Sequence, residues 1–89
     1  MTTSTPLQVH VRYFASLREA LGADEALQID AGSTVGALRE RLIARGGEHA
    51  RLLGRGRALR CAVDQVMADE ASPLHDGAEV AFFPPVTGG

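Results

Sequence analysis

An α+β domain, with one main helix packed on a mixed sheet, is the class this 89-residue sequence predicts. Three observations predict it. Apolar and polar residues alternate from Leu7 to Phe14 and again from Glu79 to Phe83, so strands open and close the ordered part. Between them Val35, Leu38 and Leu42 recur at helical spacing. The last strand then runs from Phe82-Phe83 straight into Pro84-Pro85 and finishes as Val86-Thr87-Gly88-Gly89.

The first strand places Leu7, Val9, Val11 and Tyr13 on one face, and Gln8, His10, Arg12 and Phe14 on the other. Phe14 is therefore an aromatic on the polar face. Ser16-Leu17-Arg18-Glu19 has capping-box spacing, with Ser16 as N-cap and Glu19 at N3. Gly22 suits the αL position that ends this short helix, which buries Leu17 and Leu21. Leu27 and Ile29 mark a second strand. Ser33 or Thr34 caps the main helix. That helix is about eleven residues long, enough to cover one face of a small sheet. Ile43 lies beside its apolar stripe, and Arg39, Glu40, Arg41 and Arg45 take the wet side. Gly46-Gly47 ends it, and Glu48 to Leu53 adds a further turn. The glycines of Gly54-Arg55-Gly56-Arg57 fit neither a P-loop nor a dinucleotide fingerprint, so this reads as a basic loop. Leu59, Cys61 and Val63 alternate as a third strand. Asp64-Gln65 turns it into a short strand, Val66-Met67-Ala68. Asp76-Gly77 leads into the last strand, where Val80 and Phe82 share one face and Ala81 and Phe83 the other. This order of elements, with the first and last strands central, is that of a β-grasp, the ubiquitin-like fold.

One domain over residues 1–89 is expected, with 1–6 as a loose leader and 84–89 as an extended tail. All basic residues are Arg, and the absence of Lys excludes chains of copies linked through Lys. A net charge of −2 argues for neither nucleic acid nor membrane as a partner. The single cysteine, Cys61, excludes an internal disulfide and fits a reducing, cytoplasmic setting. No apolar stretch is long enough to span a bilayer, and residues 1–6 lack the features of a signal peptide. After Arg60 there is no Arg, while Asp64, Asp69, Glu70, Asp76 and Glu79 follow, so the tail leaves from an acidic end of the chain. Either electropositive surface on whatever receives it or a merely solvated polar face is expected from this distribution. His10, His49 and His75 form no metal-ligand spacing with Cys61, and no metal site is expected. Cys61 reads as a buried thiol, and His75-Asp76 as a turn. With no triad and no paired carboxylates, the chain is not expected to be an enzyme on its own.

The tail carries the chemistry. Two prolines stiffen the exit from the fold, and the six residues from Pro84 to Gly89, at about 3.1 Å each, reach roughly 19 Å. Gly88 and Gly89 lack a Cβ and can lie in a channel too narrow for other residues. The α-carboxyl of Gly89 is ionised at neutral pH and is a poor electrophile. It becomes reactive once activated as an acyl-adenylate by ATP. A sulfur nucleophile then gives a thiocarboxylate, and an amine gives an amide conjugate. The bland alternative is a frayed, inert terminus. Alternation also makes a surface expectation. If the first and last strands are neighbours, Phe14 and Phe83 lie together on the outer face, joined by Met67, with Arg18 at the edge of this docking patch. A covering loop or a second small core would remove the patch.

The ending Phe82-Phe83-Pro84-Pro85-Val86-Thr87-Gly88-Gly89, preceded by Asp76-Gly77-Ala78-Glu79-Val80-Ala81, resembles the small subunits of molybdopterin synthases, a family of β-grasp sulfur carriers. Tyr13-Phe14-Ala15-Ser16-Leu17-Arg18-Glu19 is similar to that family's opening strand-helix junction. Val35-Gly36-Ala37-Leu38 is similar to its main helix, and Ala62-Val63-Asp64-Gln65 to its strand-turn. The resemblance covers nearly the whole chain from Leu7, and the tail is its specific part. Asp64 stands where the family often has Asn. The resemblance implies that a ubiquitin-activating-type adenylyltransferase adenylates Gly89 and a sulfurtransferase converts it to a C-terminal 1-thioglycine. The tail then enters the large subunit of the synthase and supplies sulfur for the dithiolene made from cyclic pyranopterin monophosphate. It further implies that Gly89 carries the reactive group. Gly88 and Thr87 thread the channel, and Pro84, Pro85 and Val86 lead into it. Phe14, Met67 and Phe83 would be hydrophobic contacts and Arg18 a polar one. No bound cofactor is implied, and the assembly would be a heterotetramer. A related carrier for thiazole or cysteine synthesis, a protein modifier forming amide links, and an interaction domain with an inert tail are the alternatives.

Overall fold

The alternating run at the start of the chain becomes strand β1 (Leu7–Tyr13), and its inward positions Val9, Val11 and Tyr13 are buried. The computed structural model describes residues 5–56 and 58–84. After β1 come α1 (Ser16–Leu21), β2 (Asp24–Ile29), α2 (Val35–Ile43), α3 (Gly47–Leu53), β3 (Arg60–Val63), β4 (Val66–Ala68) and β5 (Glu79–Phe83). The five strands form one sheet in the order β2-β1-β5-β3-β4. β1 and β5 run parallel, with His10 opposite Glu79 and Tyr13 opposite Phe82. The other neighbours are antiparallel. This mixed sheet, with α2 across one face and β5 at its centre, is the β-grasp arrangement that alternation and helix spacing predicted.

The core lies between that face and the helices. Val35, Leu38 and Leu42 of α2 pack with Val9, Val11, Val80 and Phe82 of the two central strands. Each such side chain taken fully from water contributes about 1.5–3 kcal/mol before entropy is counted. Tyr13 brings a hydroxyl into this apolar surrounding, and it donates to Glu25 Oε2 at 3.0 Å. Arg45, just past α2, closes on the same carboxylate at 2.7 Å. Burial and then the charge of Glu25 push the Tyr13 phenol well above its usual range. Burial also pushes Glu25 up, but the hydrogen bonds from Arg45 and Tyr13 prevail and hold it below the usual carboxylate range.

Four local expectations need correction. Ser16 is not the N-cap of α1: the cap is Ala15, at φ 54° and ψ −132°, with no side-chain bond. Ala15 offers its carbonyl to the Arg18 and Glu19 N–H groups instead. A positive φ at a residue with a Cβ is strained, and here it sits beside Phe14. Gly22 does take a positive φ of 96°, but its ψ of 172° is extended rather than αL. The main helix is shorter than expected, ending at Ile43, because Gly46 and Gly47 at φ 74° and 55° start α3 within four residues. Thr34, not Ser33, is its cap, with Oγ1 accepting the Ala37 N–H at 3.2 Å.

The fourth correction is Arg39, which is only 6% exposed rather than on the wet side. Position outranks residue type here. Residue 39 lies four residues after Val35 and three before Leu42, on the same stripe. The guanidinium fork makes the burial tolerable. Nε donates to the Leu53 carbonyl at 2.7 Å, Nη2 to the Gly54 carbonyl at 2.8 Å, and Nη1 to Glu70 Oε2 at 2.9 Å. Arg39 therefore closes the C-terminal end of α3, whose last carbonyls have no intrahelical partner.

The β3–β4 turn fixes where β5 begins. Asp64 and Gln65 sit at φ 51° and 69°, the left-handed pair of a tight hairpin turn. Asp64 Oδ1 accepts the Glu79 N–H at 3.0 Å, and its Oδ2 lies 2.6 Å from His75 Nε2. His75 Nδ1 is 2.9 Å from the Asp76 carbonyl. Only an imidazolium donates from both ring nitrogens. Accordingly the bond to Asp64, and then the Asp76 carbonyl, raise His75 above its ordinary pKa. The Glu79 N–H, and then His75, hold Asp64 below the usual carboxylate range. An Asn at position 64 would keep the bond to Glu79 and lose the charge facing His75.

A group with a raised folded pKa stabilises fully below its unfolded value and loses that contribution as pH rises through the folded one. His75→Gln should therefore lower the melting temperature at about pH 5.5, where Asp64 stays ionised, and have little effect at about pH 9. Thermal melts of both proteins at the two pH values check this. A difference that does not shrink would mean that a neutral hydrogen bond carries the contribution.

Candidate functional site

The face of the sheet turned away from α2 is the candidate docking surface. Its floor is small: Ala62 of β3 and Ala81 of β5 stand opposite each other in the register. Parity puts larger groups around them. Phe14, directly after β1, is 37% exposed, and its N–H donates to the Phe82 carbonyl at 3.2 Å, which holds it beside the end of β5. The Phe14 and Phe83 rings meet edge to face, with centroids 6.5 Å apart at 87°. Together with Arg12, Gln65, Glu79 and Ala81 they line an open groove of about 470 Å³.

The expected residues are brought together only in part. Phe14 and Phe83 touch. Met67 is 57% exposed but stands opposite Ala62 on β4, two strands from Ala81, which is roughly 10 Å at the usual strand spacing. It lines a separate cavity of about 380 Å³ with Val35, Cys61 and Phe82. Arg18 is exposed on α1. Arg12, which sequence reasoning passed over, lies over the Phe14 ring at 5.2 Å and pairs with Glu79 at 3.7 Å. Its signal was available, since residues two apart on a strand share a face.

The acidic third of the sequence does not make the base of the tail acidic. Asp64 and Glu79 stand at the start of β5, and Asp76 there accepts the Gln8 N–H. Glu70 takes Arg39 and Arg55. Phe83, where the strand ends, stands opposite Arg60. Pro84 is half-buried and lines a small cavity with Leu17, Leu52 and Leu59, so the chain is still seated on the body at this point. The expectations for Pro85, Val86, Thr87, Gly88 and Gly89 lie outside the described residues, as does the leader through Ser4.

Cys61 is buried, its thiol donates to the Ala68 carbonyl at 3.4 Å, and burial foremost pushes its pKa up, which disfavours the thiolate. Among the described residues no group of three or more His, Cys, Asp or Glu side chains is placed to hold a metal. No helix among them is long and apolar enough to cross a membrane.

This topology, with an aromatic patch on the free face beside the final strand, defines a ubiquitin-like β-grasp protein. More narrowly, the chain belongs to the ThiS family, whose model matches residues 11–89. It is 43% identical over 81 residues to the molybdopterin synthase sulfur carrier subunit of Escherichia coli (strain K12), covering 91% of this chain and 99% of that one. It also resembles SAMP1 of Haloferax volcanii, at 25% identity and a TM-score of 0.73 over 92% of this chain and 99% of that one. A chain in the complex of subunits 1 and 2 of the molybdopterin-converting factor from Helicobacter pylori 26695 is similar at 28% identity and a TM-score of 0.60. That match covers 93% of this chain and all of that one.

Proposed function

We propose that this chain is the sulfur-carrier subunit of a molybdopterin synthase, acting in the cytoplasm with a large subunit that holds the catalytic pocket. The observation that carries the reading is the edge-to-face pair of Phe14, which is exposed, and Phe83, which is half-buried, at the end of β5. From there a chain that the family matches through residue 89 departs. The relatives' names and the two-subunit complex of Helicobacter pylori support the choice of partner.

The chemistry follows from a carboxylate that must become an electrophile. A ubiquitin-activating-type adenylyltransferase presents ATP to the Gly89 carboxylate, whose oxygen attacks the α-phosphorus and releases pyrophosphate. A sulfur nucleophile supplied through a sulfurtransferase then attacks the acyl carbon, and the bond to AMP breaks. The resulting 1-thioglycine enters the large subunit and gives its sulfur toward the dithiolene formed from cyclic pyranopterin monophosphate. Phe14, Phe83 and Met67 dock the body, and Arg18 adds a polar contact. Pro84, Pro85, Val86, Thr87 and Gly88 lead Gly89 to the pocket. Two copies of each subunit make the assembly.

The test is the intact mass of the protein after incubation with ATP, the adenylyltransferase and a sulfur donor. The expected result is a gain equal to sulfur replacing oxygen, mapped to Gly89. Conversion of the precursor on adding the large subunit then distinguishes this pathway from thiazole or cysteine synthesis. An amide link from Gly89 to Lys of other proteins would establish a modifier instead. An unchanged mass with a competent activator would leave an interaction domain with an inert tail.

A further inference from the structure

The outer face of the sheet is electrostatically polarised along β5, and the sequence order of its charges hides this. Its acidic groups, Asp64 and Glu79, lie where β5 begins, with His75 and Arg12 as their partners. At the other end of the strand, about 13 Å away at the usual rise per residue, stands Arg60. Arg60 is opposite Phe83 in the β3–β5 register, and Cys61 after it points into the core, so alternation puts Arg60 on the outer face. It is exposed. Among the described residues it has no ion pair within 4 Å and no side-chain hydrogen bond, unlike Arg12, Arg39, Arg45 and Arg55 on the same body. Asp69 and Glu70 line a cavity with Arg60 but are engaged elsewhere: Asp69 accepts the Ala71 N–H, and Glu70 takes Arg39 and Arg55.

We propose that Arg60 is a specificity residue for the partner that receives the tail, and that this partner presents carboxylates at the mouth of its channel. The inference rests on the docking reading above. Because Arg60 is exposed and its backbone pairs with Phe83 across β3–β5, an interface that covers the end of β5 takes in Arg60 as well. Losing its water without gaining an acceptor would oppose binding. A carboxylate on the receiving rim removes that cost and attracts the tail end first, so the body approaches with β5 pointing at the channel. A receiver that is uniformly electropositive at its mouth would repel this end of the sheet.

The test measures association of the full chain with the large subunit of molybdopterin synthase, at low and high salt, for four proteins: wild type, Arg60→Glu, Arg41→Glu and Phe83→Ser. Arg41 is exposed on α2, on the other side of the sheet, and controls for net charge. Thermal melts confirm that each variant is folded. The expected result is that Arg60→Glu slows association roughly tenfold at low salt, that the deficit shrinks at high salt, and that Arg41→Glu stays near wild type. If Phe83→Ser weakens binding while Arg60→Glu changes neither the rate nor its salt dependence, the inference fails and the docking face stands. Faster association of Arg60→Glu also overturns it, since the mouth would then be electropositive. If neither Phe83→Ser nor Arg60→Glu changes binding, the docking face falls, and the inference with it.

Discussion

One residue added after Gly89 should abolish sulfur transfer while leaving the fold and the docking affinity close to those of the unmodified chain. The extension moves the terminal carboxyl about 3 Å beyond its place. A displacement of about 1 Å at a reacting centre already costs on the order of a hundredfold in rate. The added residue also turns the Gly89 carboxyl into an amide, which cannot be adenylated, so loss below detection is expected. The contrast with Phe83→Ser makes the experiment specific. That change removes an aromatic contact from the outer face and leaves Gly89 intact. It should raise the concentration of carrier needed and leave the rate at saturation near normal. The measurement is single-turnover sulfur transfer to the precursor over a range of carrier concentrations for all three proteins. Transfer by the extended chain at an appreciable rate would count against every sulfur-carrier reading.

Alternation made most of the sheet legible. Val9, Val11, Val80 and Phe82 repeat with the period of a strand that has one dry face, and a slip of one residue would expose all of them. Phe14 and Phe83 were legible for the same reason, as apolar residues of the wrong parity, and the structure puts their rings in contact. What could not be read depends on partners distant in the sequence. The bend at Ala15 has no residue-type signal, since its backbone is set by β1 pairing with β5 and by α1 packing beside them. The charge polarity of the face was misread because sequence neighbours are not sheet neighbours. Glu79 and Phe83 are four residues apart in one strand, but their surroundings are set by Asp64 and Arg60, which antiparallel pairing brings to opposite ends. Arg39 was misread because a charged residue was taken for a wet one, although the helical spacing already placed it on the stripe.

That misreading identifies the side chain whose loss should most destabilise the body. Arg39→Ala strands the Leu53 and Gly54 carbonyls at the end of α3, which Arg39 meets at 2.7 and 2.8 Å, and leaves a hole beside Val35 and Leu42. An acceptor left buried without a donor costs about 1–3 kcal/mol, and a lost hydrogen bond to a charged group is worth about the same, so roughly 3 kcal/mol in all is expected. For a domain of this size that lowers the melting temperature by roughly 12 °C or more. Arg39→Lys should fall between, because an ammonium reaches one acceptor well but cannot match the fork. Glu70→Gln should cost less than about 1 kcal/mol, since that carboxylate is 43% exposed and water replaces much of what it loses. Urea unfolding of wild type, these three variants and Arg39→Met, with thermal melts alongside, checks the order. If Arg39→Ala costs no more than Glu70→Gln, the ion pair with Glu70 is the significant contact and the closure of α3 is not. If Arg39→Met matches wild type, filling the volume is sufficient, and water satisfies the carbonyls that the guanidinium now holds.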